Sequence, residues 1–479
     1  MATGISAWGS YLPRARLLRS AIADAHQWMA PSLRSLATGR RAYCNWDEDA
    51  VTMAVEASRH CLGDRDRGMV RAIQVASTTS PAAILQSSAV AAVALRLDDR
   101  VQAIDVGGSH RAGIAALGDG LQSGRDGALI IASDRLRARP ASVQEMQYGA
   151  GAAAFLLGNG DDVAVELMGR ASMTTLFVDH FRAAAASHDY YWEERWIREE
   201  GYAKLVGQSV RAALDDAGVS ADMVRHFIFA APLKNAAAPV ARAAGIAPET
   251  VADPLTDDGG YAGAAHAPMM LANVLDGAGA HEVIVVVGFG QGCDILVLRT
   301  TPSITAARPA RRTADIIASG RSRNAYAQMA AFYGEIAPDW GMRAERDTKT
   351  ALTEQYRSSR QIGGFVAGQC RSCAQVQFPQ LSYCVNCQAS ASAMTQVPLA
   401  DLTARVLTYT ADALMYYPSP PLYAGFAQFD NGARLLMEFV DVDPQDFDVG
   451  TPLTMCFRIK ERDDVRGYCR YFWKAAPAL

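Results

Sequence analysis

The chain predicts a layered α/β domain of two similar halves, followed by a metal-bound ribbon and a small β-barrel. Three observations carry this prediction. Strand-like and helix-like stretches alternate up to about residue 305, and four cysteines cluster in two Cys-x-x-Cys pairs near residue 370. Strand-like runs with turn signals fill the remainder. The expected boundaries are 1–305 for the α/β domain, 306–359 for a connector with helices, 360–392 for the ribbon and 393–479 for the barrel.

In the first half, "RAIQVAST" and "ALIIASD" read as short strands that end in small or polar residues. Each is followed by an Ala/Leu-rich helical stretch, such as "AILQSSAVAAVALRL" or "RAGIAALGDGLQSG". "HFIFAAP" and "EVIVVVGFG" repeat the arrangement in a second half, which points to duplicated α/β units. "EERWIREEGYAKLVGQSVRAALDDAG" is amphipathic at helical spacing and ends at Gly218, a residue suited to a helix C-terminus. "TTPSITAARPARRTADIIASGRSR" has no clear period and reads as a connector, whereas "NAYAQMAAFYGEIA" reads as a helix. Beyond about residue 360 the strand runs carry turn signals at Asp430-Asn431-Gly432 and Asp443-Pro444, which suggests a small all-β barrel.

Half of the 479 residues are apolar, enough to bury large cores in two or three domains. A net charge of −4 gives no general reason to expect nucleic-acid binding. The opening "MATGISAWGSYLPRARLL" lacks the basic-then-apolar pattern of a secretory signal, and the longest apolar runs are too short for a bilayer. A soluble, cytoplasmic protein without membrane or nucleic-acid partners is expected. Cys44, Cys61, Cys293, Cys456 and Cys469 are scattered, which fits a reducing compartment.

The strongest spacing is "CRSCAQVQFPQLSYCVNC", with Cys370, Cys373, Cys384 and Cys387 in two knuckles. Such knuckles bring four thiolates to a tetrahedral Zn2+ at roughly 2.3 Å per bond. Four sulfurs leave no open coordination position, so the zinc is structural and holds a ribbon too small to fold on burial alone. A redox pair fits less well, because there are two knuckles and no thioredoxin-like βαβ pattern.

The ribbon, "VLTYT" (406–410), "PPLY" (420–423) and "DVDPQDFDVGTPL" together resemble the rubredoxin-like zinc-ribbon/OB-fold family that accompanies thiolase-type enzymes. The resemblance covers roughly residues 345–479. It implies a module that docks on a thiolase-fold partner and helps bring acyl-CoA to it. Tyr416, Tyr417, Tyr423 and Phe426 could serve as base-stacking platforms, but in a chain of this charge such aromatics are more often core or interface.

The first 300 residues resemble archaeal-type hydroxymethylglutaryl-CoA synthase, a thiolase-superfamily enzyme related to the ketoacyl synthase initiators. "GISAWGSYLPRARL", "WDEDAVTMAVEASRHCL", "VASTTSP", "DGGYAGAA" and "VVVGFGQGCD" carry the resemblance. It implies two thiolase-like halves in a five-layered domain, usually dimeric, with an active site at the start of a buried helix reached by a CoA thioester. The family works through a cysteine thioester, a glutamate and a histidine. A thiolate at a helix N-terminus has a lowered pKa and attacks a thioester.

Carried over residue by residue, the resemblance places His110 at the cysteine, Thr78 at the glutamate and Ala230 at the histidine. The family's Gly-Asn becomes Asp258-Gly259, with Tyr261 and Gly263 kept. Acyl-cysteine chemistry is therefore not expected. Cys293, in "GFGQGCD", follows a strand rather than opening a helix and is a poor substitute nucleophile. Ser109 and His110 are adjacent at a turn and point apart, so no Ser-His dyad is expected. "GFGQG" also lacks the spacing of a dinucleotide site.

Two readings follow. In one, the site is retired and His110, with Arg111 beside it, fills a vacated pocket. The chain is then an accessory subunit that positions its ribbon and barrel for a thiolase-type catalytic partner, as a homodimer or hetero-oligomer. In the other, His110 is itself the reactive group, kept neutral by the positive end of the helix. It would serve retro-aldol, retro-Claisen or hydrolytic chemistry on a β-hydroxy- or β-keto-acyl-CoA, with Tyr261, His266 and Asp258 as helpers. Thiolase-fold retro-aldolases that work with zinc-ribbon/OB partners imply a precedent. The residues alone favour the accessory reading, because four polar groups change together while the scaffold segments remain.

Overall fold

The computed structural model describes residues 3–478. Nine strands form one sheet in the order Val224–Phe229, Val283–Phe289, Gly292–Thr300, Val165–Thr174, Thr3–Tyr11, Ala150–Asn159, Ala128–Arg135, Ala72–Ala76 and Gln102–Val106. The duplication is visible in the pairing. Thr3–Tyr11 runs antiparallel to Ala150–Asn159, which is antiparallel to Ala128–Arg135, itself parallel to Ala72–Ala76. Val165–Thr174, Gly292–Thr300, Val283–Phe289 and Val224–Phe229 repeat that order and those directions. The halves join where Gly4 and Ile5 pair with Glu166 and Val165.

Two central helices, Ala112–Gln122 and His266–Gly277, are buried along most of their length. A Cβ at Gly113 would lie 2.3 Å from the Ala264 carbonyl oxygen and 2.9 Å from the Pro268 side chain. Only glycine allows this approach. It brings together the starts of both helices, one from each half.

The helical stretch ending at Gly218 forms as expected, with Gly218 left-handed at φ 61° and ψ 33°. Its middle, Ile197–Val206, is a π-helix, which the amphipathic period does not reveal. The segment read as a connector is folded as far as Glu335 into the first compact unit, whose described residues are 3–45, 49–89 and 97–335. Thr313–Ala318 is helical, and Arg321–Arg323 pairs in parallel with Ala15–Leu18. The Thr313 N–H donates to Asp276 at 2.7 Å and Ile316 is buried. Interspersed arginines break the apolar period that would have disclosed this packing.

A second compact unit comprises, among the described residues, 46–48, 90–96 and 336–478. Its ribbon has three strands, Val366–Cys370, Val376–Gln377 and Met394–Pro398. Its barrel is closed in the order Ala404–Asp412, Leu422–Phe429, Arg434–Phe439, Tyr468–Pro477 and Pro452–Asp463. Gly432, at φ +88°, makes the hairpin turn signalled by Asp-Asn-Gly. Three of the four aromatics weighed as stacking platforms pack on protein rings: Tyr416 on Trp340, Tyr417 on Trp46 and Tyr423 on Phe447. Phe426 is exposed. Lys474 is buried and bridges Asp47 and Glu438 at 2.9 Å each. Burial opposes its charge, but Asp47, Tyr417 and Glu438 together hold it protonated.

The helix contact yields a direct test. Gly113→Val should destabilise the first unit by about 3 kcal/mol, the upper end of overpacking. Denaturant unfolding reads this, and a loss below about 1 kcal/mol would contradict the close approach.

Candidate active site

Between the strand Gln102–Val106 and the helix Ala112–Gln122 the chain turns through Gly107-Gly108-Ser109-His110, with Gly108 at φ +85°. Ser109 Oγ donates to the Gly290 carbonyl at 3.0 Å. The Arg111 guanidinium donates to the Met173 carbonyl at 2.9 Å and faces Asp294 at 3.6 Å. These bonds fix the residues on either side, and His110 points inward, 7% exposed. With the Ser109 hydrogen given to Gly290, no Ser-His dyad forms.

The Tyr261 hydroxyl lies 3.3 Å from His110 Nδ1. The His180 ring stacks on His110 with centroids 4.1 Å apart, and Tyr191 stacks on His180 at 5.0 Å. His180 Nδ1 is 2.8 Å from the Asp179 carboxylate. A carboxylate accepts, so Nδ1 carries the hydrogen and Nε2 of His180 holds a lone pair. Among the described residues, no protein group pairs with Nε2 of His110 or of His180. Beyond this stack, Tyr148 donates to Asp189 at 2.8 Å, and Asp189 pairs with Arg182 at 2.8 Å. Arg182 also donates to the Thr78 carbonyl.

Tyr261 is thus brought to His110, but His266 and Asp258 are not placed to help it. His266 Nε2 donates to the Pro254 carbonyl at 2.7 Å, and its Nδ1 accepts from the Ala262 N–H at 3.2 Å. Both nitrogens are consumed in closing the loop before the second central helix. Asp258 pairs with Arg40 at 2.5 Å and lines a separate cleft with Leu18, Ser20 and Gly39. Thr78 donates its hydroxyl to Asp134 at 2.9 Å. Ala230 packs against Tyr148 and Tyr261, and Gly259 is buried at the end of a helical turn. The Cys293 sulfur is fully buried, and burial raises its pKa, so no thiolate is available there.

Burial lowers the His110 pKa well below the ordinary value, and the nearby His180 and Arg182 push in the same direction. His110 is therefore a neutral imidazole. Burial raises the Tyr261 pKa well above its usual range, so its hydroxyl keeps its hydrogen. Burial also lowers His266 and His60 to about 4.

Sequence reasoning missed His180, Asp179, Tyr191, Tyr148, Asp189 and Arg182. Five of these lie in a short stretch, "DHFRAAAASHDYY", whose alternation of ionisable and aromatic residues around an Ala-rich turn was the available signal. Two minimal strands, His180–Phe181 and Tyr190–Tyr191, pair there and carry the rings to the site.

In the ribbon, the ligand atoms of Cys370, Cys373, Cys384 and Cys387 all lie within 4.8 Å of one another. Cys370 and Cys387 sulfurs are 3.6 Å apart, and those of Cys373 and Cys384 are 3.5 Å apart. Tetrahedral zinc–thiolate geometry requires sulfur spacings of roughly 3.8 Å, so the four cysteines fit a zinc ion.

Comparisons with known proteins agree with this architecture. Residues 357–392 match the family model described as ChsH2, rubredoxin-like zinc ribbon domain. Hydroxymethylglutaryl-CoA synthase of Methanocella arvoryzae is 29% identical over 351 residues, which span 71% of this chain and 100% of that one. The enzyme of Aeropyrum pernix is 29% identical over 315 residues, 64% of this chain and 87% of its own. A solved hydroxymethylglutaryl-CoA synthase complexed with CoA superposes with a TM-score of 0.61 at 15% identity, covering 73% of this chain and 95% of that one. 3-Oxoacyl-(acyl carrier protein) synthase III from Pseudomonas aeruginosa superposes at 0.56 and 23% identity, covering 63% and 99%. The first unit has the thiolase-like fold of these proteins, and the second carries a zinc ribbon. Among the described residues, no helix is long and apolar enough to cross a membrane.

Two measurements follow. Unfolded histidines take up protons near 6.5, whereas folded His60 and His266 do so only near 4. Their contribution to stability is complete above 6.5 and is lost as pH falls through that window. The melting temperature should therefore be flat above neutrality and fall steadily on acidification, and a constant or rising value would contradict neutral buried imidazoles. Metal analysis of the full chain should find about one zinc equivalent, lost in Cys384→Ser together with ribbon structure; undiminished zinc in that variant would remove Cys384 from the ligand set.

Proposed function

We propose that the chain is an acyl-CoA enzyme of thiolase fold that works without an acyl-cysteine, cleaving a carbon–carbon bond in a β-hydroxy- or β-keto-acyl-CoA at His110. One observation carries this reading. Two stacked imidazoles, each more than nine-tenths buried, keep their Nε2 atoms without a protein partner. Neither Nε2 is among the fully buried unpaired polar atoms, so both stay open to solvent or to a ligand. A plug for a vacated pocket needs only apolar volume, whereas these two ring nitrogens remain open to a ligand beside the start of the first central helix.

In this reading Tyr261 donates its hydroxyl hydrogen to His110 Nδ1, which leaves Nε2–H as a donor toward a thioester carbonyl. CoA as the carrier is supported by the CoA complex of the superposable synthase. The zinc ribbon and barrel support a thiolase-type partner as well.

A second reading rests on its own observation, namely the change at Thr78, His110, Ala230 and Gly259 relative to the family's expected groups. Under it the chain is an accessory subunit of a thiolase-type acyl-CoA complex and turns nothing over. The two separate cleanly. Purified full-length protein should release a shortened acyl-CoA from β-hydroxy- or β-keto-acyl-CoA thioesters, followed by liquid chromatography, and His110→Ala should lower the rate at least ~100-fold at unchanged fold. No turnover alone, with His110→Ala leaving a reconstituted thiolase complex at full activity, would establish the accessory role instead.

A further inference from the structure

We infer that His180, oriented by Asp179, is the general base of this site, and that its substrates are β-hydroxyacyl-CoA thioesters cleaved by a retro-aldol step. The inference rests on the carbon–carbon cleavage proposed above, and assigns it a second residue and a substrate class.

The tautomers divide the labour. His180 gives its Nδ1 hydrogen to Asp179 at 2.8 Å, so its Nε2 is the basic atom. His110 can receive the Tyr261 hydrogen at Nδ1, 3.3 Å away, so its Nε2 carries a hydrogen. A proton acceptor and a hydrogen-bond donor therefore sit on rings whose centroids are 4.1 Å apart. A β-hydroxyacyl thioester presents a matching pair, a hydroxyl to deprotonate and, in 1,3-relation to it, a carbonyl on which charge develops.

The step balances without an added reactant. His180 Nε2 takes the β-hydroxyl proton, and the O–H electron pair forms the new carbonyl. The Cα–Cβ bond breaks, and its electrons pass to Cα and the thioester oxygen, which His110 Nε2–H stabilises. The proton then returns from His180 to Cα. The products are an aldehyde or ketone and a shortened acyl-CoA. A retro-Claisen step on a β-keto thioester needs a nucleophile that attacks the ketone. The candidates at this turn are committed elsewhere: Ser109 Oγ donates to Gly290 and Cys293 is a fully buried thiol.

The groups facing the pair are Asp179, Tyr191, Tyr261, Arg182 and, behind them, Tyr148 with Asp189. Asp179 is the acid in hydrogen-bond contact with His180 and acts as a positioning residue.

The test uses full-length protein and β-hydroxyacyl-CoA and β-ketoacyl-CoA thioesters of equal chain length. His180→Ala should lower kcat on the hydroxy substrate by ~100-fold or more, with partial recovery on adding free imidazole. Asp179→Asn should fold normally and should reduce kcat by ~10-fold or more while KM stays within about twofold, a split that a purely structural role would not produce. Wild-type cleavage of the hydroxy substrate with His180→Ala within about threefold, or with kcat of Asp179→Asn within about twofold of wild type, would overturn the assignment. Cleavage of the keto substrate alone would overturn the substrate class while leaving catalysis at His110 standing. No cleavage of either by the wild-type protein would instead remove the proposed function, and this inference with it.

Discussion

The Asp134 carboxylate is the contact on which the site depends. It stands at the end of the strand Ala128–Arg135 and accepts from Ser77 Oγ at 3.0 Å and from the Thr78 N–H at 2.7 Å. It also accepts from the Thr78 and Thr79 hydroxyls at 2.9 Å each, and from the Ala264 N–H at 2.8 Å. Burial alone raises its pKa, and these donors oppose that rise. The first four come from the end of one strand in the first half, and the last from the loop that opens the second central helix. One carboxylate therefore ties the two halves together at the level of His110, and Gly263 leaves room for it, since a Cβ there would lie 2.4 Å from Asp134 Oδ2. A carboxylate so fully satisfied is a structural clamp rather than an acid held in reserve.

The same clamp engages Thr78 throughout. Its hydroxyl and its N–H both face Asp134, while its carbonyl receives Arg182. Every polar group of Thr78 is used to hold the floor of the site and to anchor the segment that carries His180. Thr78 is part of the frame on which the histidine pair is mounted.

How much of this was legible in the sequence follows the same division. Strands buried on both faces, the paired cysteines and the helix stop at Gly218 are local signals, and each was readable because burial or ligand spacing imposes a period. The turn at Gly108 was legible for the same reason. His180 was not, because the alternation of ionisable and aromatic residues around it does not say which ring turns inward: its role depends on a two-residue strand pair and on a ring contact with His110, seventy positions away. His266 misled in the opposite sense. An exposed-looking polar residue in a glycine-rich loop suggested chemistry, yet the loop needed a donor and an acceptor to close on Pro254 and Ala262, and His266 supplies both. Asp258 faces Arg40 because the short helix Thr256–Gly259 turns it away from the central helices, a direction that spacing alone does not encode.

The contrast between His266 and His180 is what gives the functional reading its force. Both are buried, and both lie beside a ring of the same cluster. His266 has both nitrogens matched by backbone groups, as a residue serving only the fold should. His180 has one nitrogen matched by a carboxylate that fixes its tautomer, His110 has one matched by the Tyr261 hydroxyl, and each ring leaves its other nitrogen open. The fold could have satisfied them as it satisfied His266, or replaced them by leucine or phenylalanine at lower cost in desolvation. The neighbouring His180 ring, 4.1 Å away, also lowers the affinity of His110 for a proton, a cost that packing does not require. Fixed tautomers with open Nε2 atoms are what a proton-transfer step needs and what a filler does not, and the architecture of both halves converges on the place where they meet.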